Sequence, residues 1–319
     1  MAIKSVGWRW LSLAVVGFPC ITHAAGVNDF RDFSLHAAGA VVLPGRLYVP
    51  TAALTDSAAP RPLIVFLHGG GENGSDNLSQ INANIDNLLA EAKRRGAFLY
   101  APQTGANWNA RTITDYVMIM VDRAVSEQRV DEARLYVTGI SNGGGGTWNI
   151  LSRYGDRFAA GAPICGVAPA SGFLTATMTG QAVWAFHGRD DHVVPHSVSR
   201  SVINDILAAG SQSLPTYPSP GDLFDFTYSS PALNLRYTEF GDSGHAIWPR
   251  VYNTVGMYDW LFAHTTEVPE PSTVCTATGG ICILVSILGR RSRGKSYPAI
   301  QSLRRGTTGP VVSLLVSMA

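Results

Sequence analysis

Four cysteines in 319 residues give no disulfide framework. Cys20 lies in an N-terminal apolar run, and Cys275 and Cys282 lie in a C-terminal one. Cys165 alone remains between them, where it reads as a small buried thiol. No Cys-x-x-Cys pair offers zinc or redox spacing. Charge is also thin, at 15% of residues. Residues 25–267 carry 16 Lys/Arg against 22 Asp/Glu, a net of −6. A domain with no cation surplus has none to displace phosphate counterions, which argues against nucleic acid as the main partner. Internal repeats and low-complexity linkers are missing, so fibrous and disordered classes are excluded as well. What remains is 46% hydrophobic, enough for one large packed domain.

The ends read as addresses. Lys4 and Arg9 precede an apolar run from Trp10 to Ile21, and Thr22-His23-Ala24 offers a small-residue cleavage site. This pattern predicts a signal peptide over residues 1–24, removed by signal peptidase. Pro19 before Cys20 argues against a lipoprotein. At the other end, Val268-Pro269-Glu270-Pro271-Ser272-Thr273 precedes an apolar stretch from Val274 to Leu288 and a basic cluster, Arg290, Arg291, Arg293 and Lys295. The prolines make a stiff, accessible segment, and the arginines should stay on the cytoplasmic face. Residues 268–295 resemble the PEP-CTERM sorting signal. The resemblance implies an exported protein of a Gram-negative bacterium, anchored transiently in the membrane and released by an exosortase-type enzyme to the cell surface or extracellular matrix. Residues 296–319 continue past the basic cluster with a further apolar patch, Val311–Met318, for which the motif has no role.

Between the ends, apolar runs alternate with helical patterns, which predicts a mostly parallel sheet flanked by helices. Strands are predicted at Leu63–Leu67, Ala97–Ala101, Arg134–Ile140, Ala160–Cys165, Ala182–Phe186 and Leu235–Phe240. Helices are predicted at Ile81–Arg95, Ile113–Gln128, Asn142–Tyr154, Ser197–Ala209 and near Val251–His264. Residues 211–234 read as a loop excursion rich in Pro, Ser and aromatics.

Gly139-Ile140-Ser141-Asn142-Gly143 matches G-x-S-x-G between a predicted strand and a predicted helix, the context of a nucleophile elbow. The glycines remove Cβ atoms where the tight turn would clash. A phosphate loop fits less well, because its lysine is missing. Serine needs a base, expected after the last strand. His245 in Gly241-Asp242-Ser243-Gly244-His245 stands there, and neutral imidazole accepts a proton near pH 7. The base needs an orienting acid after the preceding strand. Asp190 and Asp191 compete in His187-Gly188-Arg189-Asp190-Asp191, and the spacing H-G-x-x-D-x-x-V-P favours Asp191. His192 and His196 could suggest a metal with these aspartates, but Pro195 breaks the helix that would align them, so no metal is expected. Oxyanion donors are expected from the backbone N–H of Asn142 and from the glycines after Leu67, with Gly70 first and Gly71 second. The order Ser141, Asp191, His245 is that of an α/β-hydrolase.

Residues of about 43–264 resemble α/β-hydrolase carboxylesterases related to polyhydroxybutyrate depolymerases and feruloyl or acetyl xylan esterases. Dienelactone hydrolases and prolyl oligopeptidase catalytic domains are more distant relatives. The matching pieces are LHGGGENGSDN, APQTGANW, RLYVTGISNGGGGTW, FAAGAPICG, VWAFHGRDDHVVP and GDSGHAIW. The resemblance implies an α/β-hydrolase domain over 25–267 that cleaves small-molecule or polymeric esters without a cofactor. Many relatives carry Met where this chain has Asn142. Trp108 in APQTGANW is expected to line the cleft, with packing beneath a loop as the other option, while Trp148, Trp184 and Trp260 read as core. Two other functions are compatible with these residues: a serine peptidase, for which no propeller domain is present, and a non-catalytic matrix protein, whose usual sign is a lost triad member.

Overall fold

The apolar runs that alternate with helical segments form one sheet. The computed structural model describes residues 27–55, 59–170, 172–173, 175–219 and 221–266. The proposed leader 1–24 and the segments 268–295 and 296–319 lie outside the described residues.

The strands are β1 Phe30–Asp32, β2 Leu35–Ala37, β3 Ala40–Leu43, β4 Gly45–Tyr48, β5 Arg61–Leu67, β6 Phe98–Pro102, β7 Val130–Ile140, β8 Ala160–Ile164, β9 Val183–Gly188, β10 Phe226–Ser230 and β11 Leu235–Phe240. The α-helices are α1 Thr51–Thr55, α2 Ser79–Asn82, α3 Asp86–Arg95, α4 Arg111–Gln128, α5 Asn142–Tyr154, α6 Ser197–Ala209, α7 Trp248–Tyr252 and α8 Val255–Phe262. Nine strands form one sheet in the order β1-β4-β6-β5-β7-β8-β9-β11-β10, and β2 and β3 pair separately. The six strands from β6 to β11 are parallel to their neighbours, while β1, β4 and β10 pair antiparallel at the two ends. This is the α/β-hydrolase fold.

The apolar runs are continuous because both faces of the central sheet are covered. On β5, Leu63, Val65 and Leu67 enter one core with Val117, Trp148 and Ile203, whereas Ile64 and Phe66 enter the other with Leu88, Val251 and Met257. Alternate residues of one strand thus seal two layers of helices.

Three segments depart from the sequence pattern. The helix expected over Ile81–Arg95 breaks into α2 and α3, with Asn84 between them at φ 61°. The closing helix likewise divides into α7 and α8. The excursion 211–234 contains a strand, β10, paired antiparallel with β11.

The chain runs from β5 outward to β6, then crosses back to lay β7 on the other side of β5. A crevice opens where the order reverses, at the carboxyl ends of β5 and β7. Ser141 follows β7 there, and the Gly69–Gly71 loop follows β5.

Candidate active site

Ser141 occupies the turn from β7 into α5 with φ 53° and ψ −112°, a conformation costly for a residue with a side chain. The surrounding glycines make the turn possible by allowing close approach. A Cβ on Gly143 would stand 1.9 Å from the Leu67 carbonyl oxygen, and one on Gly139 would stand 2.4 Å from the Gly143 oxygen. The Ser141 N–H donates to the Ile164 oxygen at 2.9 Å, and its carbonyl accepts from Gly145 and Val167. Bonds on both sides fix a strained residue at the head of a helix.

The loop after β11 brings His245 over the serine. Its seat is the end of β9, where a Cβ on Gly188 would fall 2.1 Å from the Gly244 oxygen. Ser141 Oγ donates to His245 Nε2 at 2.9 Å, and His245 Nδ1 donates to Asp191 Oδ2 at 2.7 Å. The Trp248 ring meets the imidazole edge-on at 5.5 Å, and Trp248 Nε1 donates to Asn84 Oδ1, which stands next to the Asn84–Glu72 hydrogen bond. The base loop and the glycine loop after β5 are therefore tied together. The sequence reading gave Trp248 no role; its only signal was an aromatic three residues beyond the base.

Asp191 has no exposed side-chain surface. Oδ1 accepts the N–H groups of Val193 at 2.9 Å and Val194 at 2.8 Å, and Oδ2 accepts from His245 and, at 3.1 Å, from His187 Nε2. Burial alone raises its carboxyl. The hydrogen bonds from His187, His245 and the two backbone donors outweigh that and hold it well below the usual carboxylate range. Its competitor Asp190 points to solvent, 75% exposed, beside the still more exposed His192 at 3.6 Å. Asp190 has no ion pair with Arg189, which instead turns inward.

Arg189 Nε donates to Glu239 at 2.6 Å, and its other nitrogens donate to the carbonyls of Asp222 and Phe224 in the excursion. Arg200 and the Tyr237 hydroxyl also donate to Glu239. Burial raises the Glu239 carboxyl, but these three donors pull it down to about 2. Arg250 bridges Asp225 of the excursion to Asp242 of the base loop.

Of the expected oxyanion donors, Asn142 opens α5, where the first N–H groups have no intrahelical partner. Gly70 begins a short 3-10 turn facing the same crevice, and a Cβ there or on Gly71 would touch nothing within 4 Å. Gly70 and Gly71 thus answer no crowding inside the protein. The Asn142 carboxamide is buried, and its Nδ2 has no partner.

Trp108 departs from expectation. It does not line the cleft: it is fully buried, its Nε1 donates to the His68 carbonyl at 3.0 Å, and its ring packs against His68 at 4.9 Å. Gly146 has no Cβ because one would sit 2.5 Å from Trp108 Cβ. The indole is a strut beneath the glycine loop. His68 is structural too, since it accepts from Thr104 N and donates to Gly69 O.

The cavity of about 860 Å³ between residues 168–175 and α6 is not lined by Ser141, Asp191 or His245. It begins at Ala168, one residue past Val167, whose N–H bonds the Ser141 carbonyl. Among the described residues, Cys165, Asp191 and His245 are the one group of three potential metal ligands, with ligand atoms within 4.8 Å of one another. Burial pushes the Cys165 thiol up, and the other two are already bonded to each other, so the group is poorly prepared for a cation.

A family model described as the prolyl oligopeptidase family matches residues 99–200. The chain is 28% identical over 165 residues to a poly(3-hydroxybutyrate) depolymerase of Ralstonia pickettii, covering 45% of this chain and 34% of that protein. It is 28% identical over 125 residues to a bifunctional acetylxylan esterase/xylanase of Neocallimastix patriciarum, covering 38% of this chain and 17% of the relative. The chain thus spans no more than about a third of these curated relatives. Among solved structures, a thermostable esterase superposes with a TM-score of 0.62 at 27% identity, over 75% of this chain and 64% of that one. Fold and likenesses together define the α/β-hydrolase fold, with Ser141, His245 and Asp191 joined in one hydrogen-bond chain at its crevice.

Proposed function

We propose that this chain is an exported serine carboxylesterase. The observation that carries the reading is the continuous hydrogen-bond chain Ser141–His245–Asp191 at the crevice. Ser141 Oγ attacks the ester carbonyl as His245 Nε2 takes its proton. Asp191 holds the imidazole in the tautomer that leaves Nε2 free to accept, and offsets the charge of the imidazolium. The N–H groups of Asn142 and Gly70 receive the oxyanion. His245 returns the proton to the departing alcohol, and water then resolves the acyl-enzyme by the same steps in reverse. No residue of this scheme needs a cofactor.

Acylated polysaccharides and other extracellular esters fit an exported enzyme. Export itself rests on the leader 1–24 and on the tripartite segment 268–295, with residues 25–267 as the mature hydrolase. Among the described residues, no helix is long and apolar enough to cross a membrane.

The test is hydrolysis of p-nitrophenyl acetate by the wild type and by Ser141→Ala. Saturable turnover lost in the variant supports the reading. Equal rates in both, or none in folded wild type, overturns it. A serine peptidase is the second reading, favoured by the family match over residues 99–200. Turnover of peptide amides without turnover of esters would select it.

A further inference from the structure

We propose that His187 is a positioning residue for this site, a second imidazole that sets the orientation of Asp191. The inference rests on the triad reading above.

The geometry fixes the proton on His187. Its Nε2 lies 2.9 Å from the Val194 carbonyl and 3.1 Å from Asp191 Oδ2. The carbonyl has no proton to give, so Nε2 carries one and shares it between the two acceptors. Nδ1 on the far side meets Ser199 Oγ at 2.7 Å, in the first turn of α6. The ring is fully buried. It therefore joins the end of β9, the 190–194 turn and α6 at one point. Val194 is gripped twice, because its carbonyl accepts from His187 while its N–H donates to Asp191 Oδ1.

Two imidazoles consequently share one carboxylate oxygen. The Val193 and Val194 N–H groups hold Oδ1, but with His245 alone on Oδ2 a second lone pair of that oxygen is left to a water. With His187 on the same atom, the lone pair facing His245 has one direction left. Removing the donor leaves a buried charge short of one hydrogen bond, and the hydrogen bond to His245 loses its alignment. Burial and packing alone would be met by any residue of similar size. The donor at the Nε2 position is what the inference assigns.

The test uses the whole chain and three variants. In His187→Gln the amide nitrogen reaches the level of Nε2 and restores the donor. In His187→Asn it stops at the level of Nδ1. His187→Phe keeps the ring and removes both nitrogens. Two quantities are read: kcat and KM for p-nitrophenyl acetate per serine titrated by an organophosphate, and the downfield proton resonance of the His245–Asp191 hydrogen bond. His187→Phe and His187→Asn should lower kcat by about 10- to 100-fold at nearly constant KM, the range expected for one hydrogen bond to a charged group. The resonance should broaden or vanish in both. His187→Gln should stay within about threefold of wild type and keep the resonance. If His187→Phe fails to fold, the contrast between Asn and Gln still decides. Wild-type kcat and resonance in the Asn variant, or a Gln variant as impaired as Asn, would overturn the proposal. If the wild type hydrolyses no ester, the esterase reading fails separately, and the resonances of the three variants still judge His187.

Discussion

Replacing Asp191 with Asn changes one atom, yet it should cost most of the activity. The amide can sit in two ways. With its oxygen toward Val193 and Val194, it keeps both backbone donors satisfied. Its NH2 then faces His245 Nδ1 and His187 Nε2, which stood 2.7 and 3.1 Å from Oδ2. His187 can retreat to the Val194 carbonyl, but His245 has no such second acceptor. Its Nδ1 must become the acceptor, so its proton moves to Nε2 and points at Ser141. The opposite orientation sets two buried N–H groups against an NH2, at about 1–3 kcal/mol each. The first orientation therefore prevails, with the base in the wrong tautomer. A change of that kind lowers kcat by about 10⁴, or roughly 5.4 kcal/mol of barrier. The assay is kcat for p-nitrophenyl acetate, with Asp190→Asn as control, since that side chain is 75% exposed and should stay within about twofold. The same substitution carries a pH signature. The folded carboxyl is held below its unfolded value, so its contribution to stability is fully present above the unfolded pKa of about 4 and is lost as pH falls further. The melting-temperature gap between wild type and variant should therefore shrink below about pH 4. Asp191→Asn within tenfold of wild type, or Asp190→Asn equally damaging, would refute the reasoning.

Two further outcomes follow from buried groups away from the serine. Trp108→Phe keeps the ring under the glycine loop but loses the bond to the His68 carbonyl, so denaturant unfolding should show a loss of about 1–2 kcal/mol. Its KM should not change, and a large KM effect would return Trp108 to the cleft wall. Glu239→Gln leaves Arg189 and Arg200 facing a neutral buried partner, with an expected loss of about 3–5 kcal/mol near pH 7. Because the folded carboxyl lies at about 2, that loss should fade as pH drops from about 4.5 toward about 2. A gap that stays constant across this window would count against the ion-pair account.

The middle of the sheet was legible because burial on two faces writes itself as unbroken apolar runs, and Leu63–Leu67 is the clearest case. The site was legible through chain order: a serine between strand and glycine-rich helix, then an acid, then a histidine past the last strand. The flanks were not. Strands β1 to β4 are three or four residues long, and several of their positions are exposed. β10 alternates half-buried and exposed residues inside a segment that otherwise reads as turn. Asn84 interrupts a helical pattern through a backbone angle that periodicity does not record. Sequence leaves Trp108 open between the cleft wall and packing beneath a loop, because proximity to the crevice does not decide exposure; the structure selects packing. The side chain lies just under the glycine loop, bonded to the carbonyl of the fully buried His68.

Arg189 holds the excursion by the carbonyl oxygens of Asp222 and Phe224, while the side chains of Leu223 and Phe224 stand 74% and 59% exposed. The Phe224 ring also lies over the guanidinium, 5.5 Å from Arg189, so the mount meets that side chain while Leu223 projects to solvent. Position 223 can therefore drift in sequence while the anchor, rooted in the buried Glu239, stays the same. For an enzyme meeting new surfaces, that separates what must be kept from what is open to trial. A library confined to position 223 would vary the exposed face of the excursion without disturbing the frame that carries Asp191.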